Sequence, residues 1–326
     1  MTDQPLFAAP ARLRRLQIEV TTGCNLRCAG CQRTLGMQAG TWRNAHMPAG
    51  RFAAIVANAP PAESVILQGI GEPTLHPDLA ALIGIARASG KFRLVSFNTN
   101  ALFADLPAYA ALRAAGLAHV SISVDSLDPI TAGALRAGTG VAALRAAIGD
   151  LIALFQGAVT LSIVLSRGNL PELPDLLDTL HALGGRTVEI QPLVSYAAAI
   201  DPLMLDAADI AVAREVLAAA RRRLPAMTLL PAAALTPNGT RCRRPFHAGY
   251  VTVEGFLTPC CLTRGLGQCR RAALPRRLFR SGAGDVPRLR LQPLGHPGAR
   301  GRAGRSSPAG GGGGAWPAGR PSRAGG

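Results

Sequence analysis

The sequence predicts a parallel α/β chain followed by a small cysteine-bearing extension and an unpacked tail. Three observations carry this. Six short apolar runs recur between residues 16 and 195, with helix-patterned segments between them. Parallel neighbours need a crossover connection, so strict alternation of strand and helix means parallel strands. After Pro225 the alternation stops, and four of the seven cysteines follow before residue 270. Residues 270–326 hold 14 Gly and 7 Pro, a low-complexity composition in which no packed structure is expected. Six strand–helix units fit an open or closed parallel barrel better than a sandwich. A doubly wound sheet is the alternative, and periodicity alone does not separate the two.

The elements follow in order. Leu16-Gln17-Ile18-Glu19-Val20 alternates apolar and polar residues, the pattern of a strand. Strands at 64–68, 92–97, 119–124, 159–165 and 187–193 are rich in Val, Ile, Leu or Phe and bounded by Gly, Pro or Asn. Leu79, Leu82, Ile83 and Ala86 share one helical face, which Gly90 closes. Leu173, Leu176, Leu177 and Leu180 share another, closed by Gly184 and Gly185. Asp105, Asp128 and Asn169 stand just before Pro107, Pro129 and Pro171, where a capping side chain and a preset φ both start a helix. A further helix runs from about 206 to 223, with Ile210, Val216, Leu217 and Leu224 apolar. The expected organisation is a core barrel over 1–225, a cysteine-containing extension over 226–269 and an Arg/Gly/Pro tail over 270–326.

The formal charge of +16 suggests a nucleic-acid partner, but its distribution argues against one. Residues 270–326 hold 12 Arg and one Asp, leaving a net of only +5 for the rest. The one lysine is Lys91, and arginine in place of lysine with abundant Ala and Gly reads as GC-rich coding. The tail is therefore expected to be an out-of-frame segment, with a basic nucleic-acid arm as the competing account. Residues 1–15 show no apolar signal core. The longest uncharged apolar stretch, 151–166, contains Gln156 and Gly157 and falls short of the roughly 20 residues that span a bilayer. No membrane partner is expected, and the cytoplasm is the default compartment. Structural disulfides are rare there, so seven cysteines point to metal or redox chemistry.

Cys24, Cys28 and Cys31 give C-x3-C-x2-C directly after the first strand. Soft thiolates select zinc, copper(I) or iron–sulfur clusters. Three is the informative number: a structural zinc site is closed by four ligands. A [4Fe-4S] cluster normally has four cysteine ligands, so three leave one iron open. His46 is a candidate fourth zinc ligand, at a spacing that fits no zinc pattern. From these residues alone an open cluster, a zinc site and inert or redox thiols all stand.

Further motifs narrow the choice. The stretch Gly23-Cys24-Asn25-Leu26-Arg27-Cys28-Ala29-Gly30-Cys31 resembles the radical SAM superfamily. Gly69-Ile70-Gly71-Glu72-Pro73 is similar to that family's GGEP element, Asn98-Thr99-Asn100 stands where members often have Thr-Asn-Gly, and Ser121-Ile122-Ser123-Val124-Asp125 ends the fourth strand. Their order, each at a strand's C-terminal end, is the specific feature, because parallel α/β sites collect at that face. The resemblance covers roughly residues 14–195 and implies a partial (β/α)6 TIM-like barrel. Cys24, Cys28 and Cys31 would bind three irons of a [4Fe-4S] cluster, and S-adenosylmethionine would chelate the fourth. Reduction would then cleave the sulfonium to methionine and a 5′-deoxyadenosyl radical that takes hydrogen from a substrate.

The same resemblance assigns cofactor contacts. Glu72 would accept hydrogen bonds from the methionyl ammonium, with a solvated loop carboxylate as the bland reading. Gly71 would allow close backbone approach. Ser123 and Arg136 would contact the methionyl carboxylate or ribose, Arg136 being equally readable as a surface helix residue. Asp125 and Asn100 would line the pocket or cap local backbone. Where members often carry an aromatic residue before the third cysteine, this chain has Gly30, leaving Trp42 and Phe97 as weak replacements near adenine.

Cys242, Gly255 and Cys260 give C-x12-G-x4-C, which resembles the opening of the SPASM/twitch extension of many radical SAM enzymes. Residues 251–257 read as a hairpin with a Glu-Gly turn. The extension would bind an auxiliary iron–sulfur cluster through Cys242, Cys260 and Cys269, with zinc as the alternative. The pattern departs from the family in having only Cys269 after the adjacent Cys260 and Cys261, and Cys261 reads as a packed thiol.

The expected function is a radical SAM oxidoreductase or maturase acting on a peptide, protein or small molecule, with flavodoxin or ferredoxin as reductant. About fifteen residues precede the first strand, so no fused leader-peptide-binding domain is expected, which weakens the peptide reading. The alternatives are an iron–sulfur electron-transfer or sensor protein and a zinc-stabilised module whose tail contacts nucleic-acid phosphates. Neither needs a carboxylate beside the cluster, so the Gly-Glu-Pro element favours the enzyme.

Overall fold

The computed structural model describes residues 13–195, 197–235 and 248–258. Eleven strands alternate with eight helices among them. The strands are β1 (Leu13–Ile18), β2 (Arg27–Cys28), β3 (Ala62–Leu67), β4 (Phe92–Thr99), β5 (His119–Ser123), β6 (Arg136–Ala137), β7 (Val159–Leu165), β8 (Thr187–Pro192), β9 (Thr228–Pro231), β10 (Ala248–Val251) and β11 (Leu257–Thr258). The helices are α1 (Gln32–Gln38), α2 (Ala49–Asn58), α3 (Leu79–Ala88), α4 (Leu106–Ala114), α5 (Pro129–Leu135), α6 (Val141–Leu154), α7 (Leu173–Ala182) and α8 (Ala207–Arg223).

Nine strands form one sheet in the order β11-β10-β1-β3-β4-β5-β7-β8-β9, and β2 and β6 form a separate pair. The six expected strands are β1, β3, β4, β5, β7 and β8, each parallel to the next. A doubly wound sheet reverses its order at a switch point. Here each strand of the sheet from β1 to β9 lies beside its predecessor, as in a barrel, while β10 returns to pair with β1, and β9 and β11 end the sheet without pairing to each other. The architecture is thus a partial barrel.

Alternate strand residues divide between two faces. Val120, Ile122, Leu161, Ile163, Val188 and Ile190 are fully buried in the core beneath the helices. Register sets the intervening residues side by side on the other face: Asn98 beside Ser121, and Ser123, Ser162 and Glu189 in one row. The inner face is therefore polar. The two expected helix faces close the core from outside, with Leu79, Leu82, Ile83 and Ala86 buried on α3 and Leu173, Leu176, Leu177 and Leu180 buried on α7.

Two of the three expected caps form. Asp105 accepts from Ala108 N–H at 2.9 Å, and Asp128 accepts from Ile130 and Thr131 N–H at 3.0 and 2.9 Å. Asn169 does not cap α7, which starts two residues beyond Pro171 with Glu172 at its N-cap. Its side chain instead accepts from Ser166 N–H and donates to Asp125 C=O, each at 2.7 Å, joining the ends of β7 and β5.

The region after Pro225 contributes to the same sheet at both ends. β9 pairs with β8, and β10 pairs with β1, both in parallel. The expected hairpin forms between β10 and β11, with Val251 opposite Leu257. Gly255 takes φ +91°, a left-handed conformation that favours glycine. Cys242, Cys260, Cys261 and Cys269 lie outside the described residues, as does the tail. No helix among the described residues is long and apolar enough to cross a membrane.

Asp128 holds the first turn of α5, the helix that delivers Arg136. Asp128→Ala should lower the free energy of unfolding by about 1 kcal/mol, the usual worth of an N-cap side chain, read as a reduced urea midpoint with unchanged slope.

Candidate active site

The C-terminal ends of the strands surround a cavity of ≈ 140 Å³ whose walls include Cys24, Cys28, Cys31, Gly71, Glu72, Ser123 and Arg136. Three loops and one short strand bring these together. The cysteine loop leaves β1 and is held by the β2–β6 pair, in which Cys28 lies opposite Arg136. Ala29 N–H donates to Leu135 C=O at 2.9 Å, so the end of α5 and the cysteine loop are stitched by backbone. Cys31 then starts α1.

The loop after β3 packs hard against the segment leading into Cys24. Glu72 N–H donates to Gly23 C=O at 2.7 Å. A Cβ at Gly71 would lie 2.5 Å from the carbonyl oxygens of Thr21 and Gly23, so no larger residue fits. The glycine expected to admit a ligand instead admits the neighbouring backbone, although it also lines the cavity.

Glu72 is 3% exposed, which removes the reading of a solvated loop carboxylate. Its Oε1 accepts from Thr74 N–H (3.2 Å), Thr74 Oγ1 (2.7 Å) and Thr99 Oγ1 (2.7 Å), and its Oε2 accepts from Asn100 N–H (2.7 Å). Thr99 gives its proton to Glu72, so Tyr109 must donate to Thr99 across their 2.9 Å contact. Burial pushes the Glu72 carboxyl above its ordinary value, and the hydrogen bonds from Asn100, Thr99 and Thr74 pull the other way. Each carboxylate oxygen offers two lone-pair positions. Among the described residues Oε2 has a single donor and keeps one position for a ligand.

Arg136 is buried, not a surface residue. It donates through Nη1 to Ser123 C=O at 2.6 Å and lies 3.8 Å from Asp125 through Nε. Asp125 also accepts from Val164 N–H at 2.8 Å. Burial raises the Asp125 carboxyl, opposed by Arg136 and by the Val164 hydrogen bond. Asn100 lines the cavity and also turns the local chain, donating to Asn25 Oδ1 and accepting from Leu102 N–H.

Neither proposed aromatic replacement reaches the cavity. Phe97 is wholly buried on the core face of β4 against Tyr109. Trp42 donates to Thr22 C=O at 3.4 Å and packs over Gly36. The place beside Gly30 is filled by Leu193, whose Cδ1 would be 2.9 Å from an added Cβ. His46 stacks edge-on with His76, 5.3 Å between centroids. Sequence reasoning missed Arg33, a buried wall residue that donates to Leu26 C=O at 3.1 Å and to Asn44 Oδ1 at 3.4 Å. It also missed the Thr99–Tyr109 support of Glu72. A buried arginine just beyond a cysteine motif has no spacing signature of its own.

The profile of the Radical SAM superfamily matches residues 18–180, half of the chain. The chain belongs to the radical SAM superfamily. It is 31% identical to PqqA peptide cyclase of Gluconobacter oxydans over 186 residues, 56% of this chain and 49% of the relative. It is 29% identical to GTP 3′,8-cyclase of Chlorobaculum tepidum over 180 residues, 54% of this chain and 53% of the relative. The chain thus spans about half the length of these curated relatives. Streptococcus suis SuiB bound to S-adenosylmethionine shares the fold with a TM-score of 0.65 at 15% identity, covering 79% of this chain and 62% of SuiB. SuiB bound to its precursor peptide SuiA aligns with a TM-score of 0.64 at 16% identity, covering 80% and 62%.

Members of the superfamily use a [4Fe-4S] cluster and S-adenosylmethionine, and the residues present fit both. No three His, Cys, Asp or Glu side chains among the described residues converge closely enough to hold a single metal ion. A polynuclear cluster gives each thiolate its own iron, so three thiols that line one cavity without converging on a single point suit it. Burial pushes the Cys28 thiol up to about 11, opposed by Arg136, and raises Cys24 as well, opposed by the Leu26 N–H. Without metal these thiols hold their protons, and metal binding must release them. In the same cavity, the open position on Glu72 is an acceptor suited to an N–H donor.

The buried Arg136–Asp125 pair gives a stability test. Arg136→Met should destabilise by about 3–5 kcal/mol, because it leaves a buried carboxylate unpaired. Adding Asp125→Asn should recover a substantial part of that loss in a double-mutant cycle.

Proposed function

We propose that the chain is a radical SAM enzyme that modifies a peptide substrate. The observation that carries the reading is the cavity lined by Cys24, Cys28 and Cys31 together with Glu72, Ser123 and Arg136. The three thiolates would hold the cluster, leaving one iron to the amino and carboxylate groups of S-adenosylmethionine. Bound there, the cluster supplies the electron for reductive cleavage to a 5′-deoxyadenosyl radical, so the protein's own task is binding, orientation and shielding.

Each residue has a physical role in that task. Glu72 Oε2 would accept from an N–H of the methionyl amino group, a hydrogen bond strengthened by the charge of the carboxylate. Arg136 and Ser123 take the carboxylate or ribose side. Thr99 and Tyr109 hold Glu72 in one orientation. The polar inner face, with Asn98, Ser121, Ser123, Ser162 and Glu189, faces the substrate. Ser121 is 6% exposed, and its Oγ has no hydrogen-bond partner among the described residues, so it offers an unused donor and acceptor. Arg33 and Arg136 are the cationic wall residues, and both are already bonded to the protein. A surface of hydroxyls, amides and one carboxylate suits an amide-rich peptide better than a polyanion such as a nucleoside triphosphate. The peptide-acting names of PqqA peptide cyclase and the SuiB–SuiA pair support the same choice.

The core of this enzyme is assigned to residues 1–225 and an auxiliary-cluster region to 226–269, with Cys242, Cys260 and Cys269 as ligands. The Gly255 turn, formed at the place the C-x12-G-x4-C spacing requires, supports that assignment. A flavodoxin or ferredoxin is assigned as reductant and the cytoplasm as compartment.

Anaerobic reconstitution tests the whole reading. The protein should bind iron and form 5′-deoxyadenosine from S-adenosylmethionine and dithionite. Replacing Cys24, Cys28 and Cys31 together by Ala should remove about four irons per chain and abolish that product. Glu72→Gln should keep the iron but weaken S-adenosylmethionine binding by about 10- to 100-fold, since a hydrogen bond to a charged group is worth roughly 1.5–3 kcal/mol. A triple-cysteine variant that still forms 5′-deoxyadenosine would defeat the proposal. A wild-type protein that takes up zinc and no iron would point to a binding module instead.

A further inference from the structure

Glu19 is a fully buried carboxylate just beyond the end of β1, on the same strand face as Gln17 and outside the wall of the cavity. Its Oε1 accepts from Ile70 N–H at 3.1 Å, and its Oε2 accepts from Val253 N–H at 3.0 Å. One acceptor group therefore joins two segments far apart in sequence. Ile70 belongs to the 69–72 loop that forms one wall of the cavity, and Val253 belongs to the hairpin of the C-terminal region.

Both partners are built around this side chain. A Cβ at Gly69 would sit 2.0 Å from Glu19 Cγ, so the loop closes on the carboxylate only because residue 69 is glycine. Glu72 N–H is tied to Gly23 two residues after Ile70 is tied to Glu19, so alternate backbone donors of the loop are anchored. On the hairpin side, Glu19 N–H donates to Val251 C=O at 2.8 Å, and Arg51 of α2 donates to Val253 C=O at 3.1 Å. The hairpin cannot shift relative to β1 without breaking the Val253 bond, and the loop cannot shift without breaking the Ile70 bond. A buried backbone N–H that loses its partner is costly, so each segment resists independent movement.

We propose that Glu19 is a positioning residue that couples the C-terminal hairpin to the S-adenosylmethionine pocket: ligand bound against the 69–72 loop rigidifies the 251–256 turn through this carboxylate, and the turn in return holds the loop in its binding geometry. Such coupling is reciprocal by necessity. The inference rests on the reading of the cavity as the S-adenosylmethionine site, and its test has an arm that does not.

In the iron-loaded full-length protein before S-adenosylmethionine is added, Glu19→Gln should speed amide hydrogen exchange at both 69–72 and 251–256. Glutamine keeps the length but turns an NH2 towards one of the two N–H donors, so that bond is lost, and the repelled amide is displaced from the other donor as well, weakening both. Exchange in β4 and β5 should stay unchanged. Acceleration confined to one segment, or spread through the sheet, would overturn the bridge. In the second arm, S-adenosylmethionine should slow exchange at 251–256 in the wild type, without slowing it there in Glu19→Gln. The variant should keep its iron, bind S-adenosylmethionine at least tenfold more weakly, and show a reduced change in the cluster's electron paramagnetic resonance on ligand addition. Affinity within twofold of wild type, with protection still reaching 251–256, would overturn the proposal. Should Glu19→Gln fail to fold, Gly69→Ala, whose Cβ displaces the Glu19 side chain, should reproduce the faster exchange at both 69–72 and 251–256. A wild type that binds iron but shows no response to S-adenosylmethionine would sink the proposed function, while the first arm would still decide the bridge.

Discussion

Parallel strands stop hydrogen-bonding at their C-terminal ends, and the chain that follows carries buried N–H groups with no ladder to join. Buried backbone donors need partners. In this protein two carboxylates provide them. Glu72 accepts from the N–H groups of Thr74 and Asn100, and Glu19 accepts from those of Ile70 and Val253. The loops after β3, β4 and β10 are thereby fixed to one another at the face where the cavity opens. An amide or hydroxyl could serve one donor, but a carboxylate is acceptor-only and serves several at once. The cavity's shape follows from this, because Ile70 and Glu72 are anchored through their N–H groups along one short loop, with Gly69 and Gly71 packed beside them. Gly71 is pressed onto Thr21 and Gly23, and Gly69 onto Glu19.

What could be read in the sequence follows the same division. The strand–helix alternation is a periodic signal, and all six core strands lie where apolar runs and bounding Gly, Pro or Asn place them. Asp105 and Asp128 are legible because a cap acts on the next three residues. Asn169 is misread for the opposite reason: besides its bonds to Ser166 and Val164 close by in the chain it donates to Asp125 beyond the end of β5, and nothing local marks that long-range bond. Phe97 fails as a pocket residue because alternation puts it on the core face, one residue from Asn98 on the inner face. The cysteine spacing and the Gly-Ile-Gly-Glu-Pro element were legible as chemistry. Arg33, Tyr109 and Glu19 were not, since each acts through a contact made only after the barrel is wound. A hint did exist for Glu19. An acid closing an apolar strand pattern is expensive to bury and has to be matched by donors.

The cysteine loop illustrates how much of the site is electrostatic preparation. The Cys24 and Cys28 thiols are raised chiefly by burial, which disfavours the thiolates that a cluster would require. Two guanidiniums oppose that effect from different elements. Arg33, on α1, favours the Cys24 thiolate, and Arg136, on β6, favours that of Cys28. Neither is placed by the C-x3-C-x2-C motif alone. Arg136 reaches Cys28 because the β2–β6 pair sets them opposite each other, and that pair exists because α5 ends there. Arg136 is in turn balanced by Asp125, which also binds the edge of β7 at Val164. A chain of contacts thus runs from the β7 edge through Asp125 and Arg136 to a thiol. The local charge at the cysteine loop is consequently set by the barrel as a whole, and a three-cysteine loop lifted out of this sheet would keep its spacing while losing the cations that suit it to an anionic cluster.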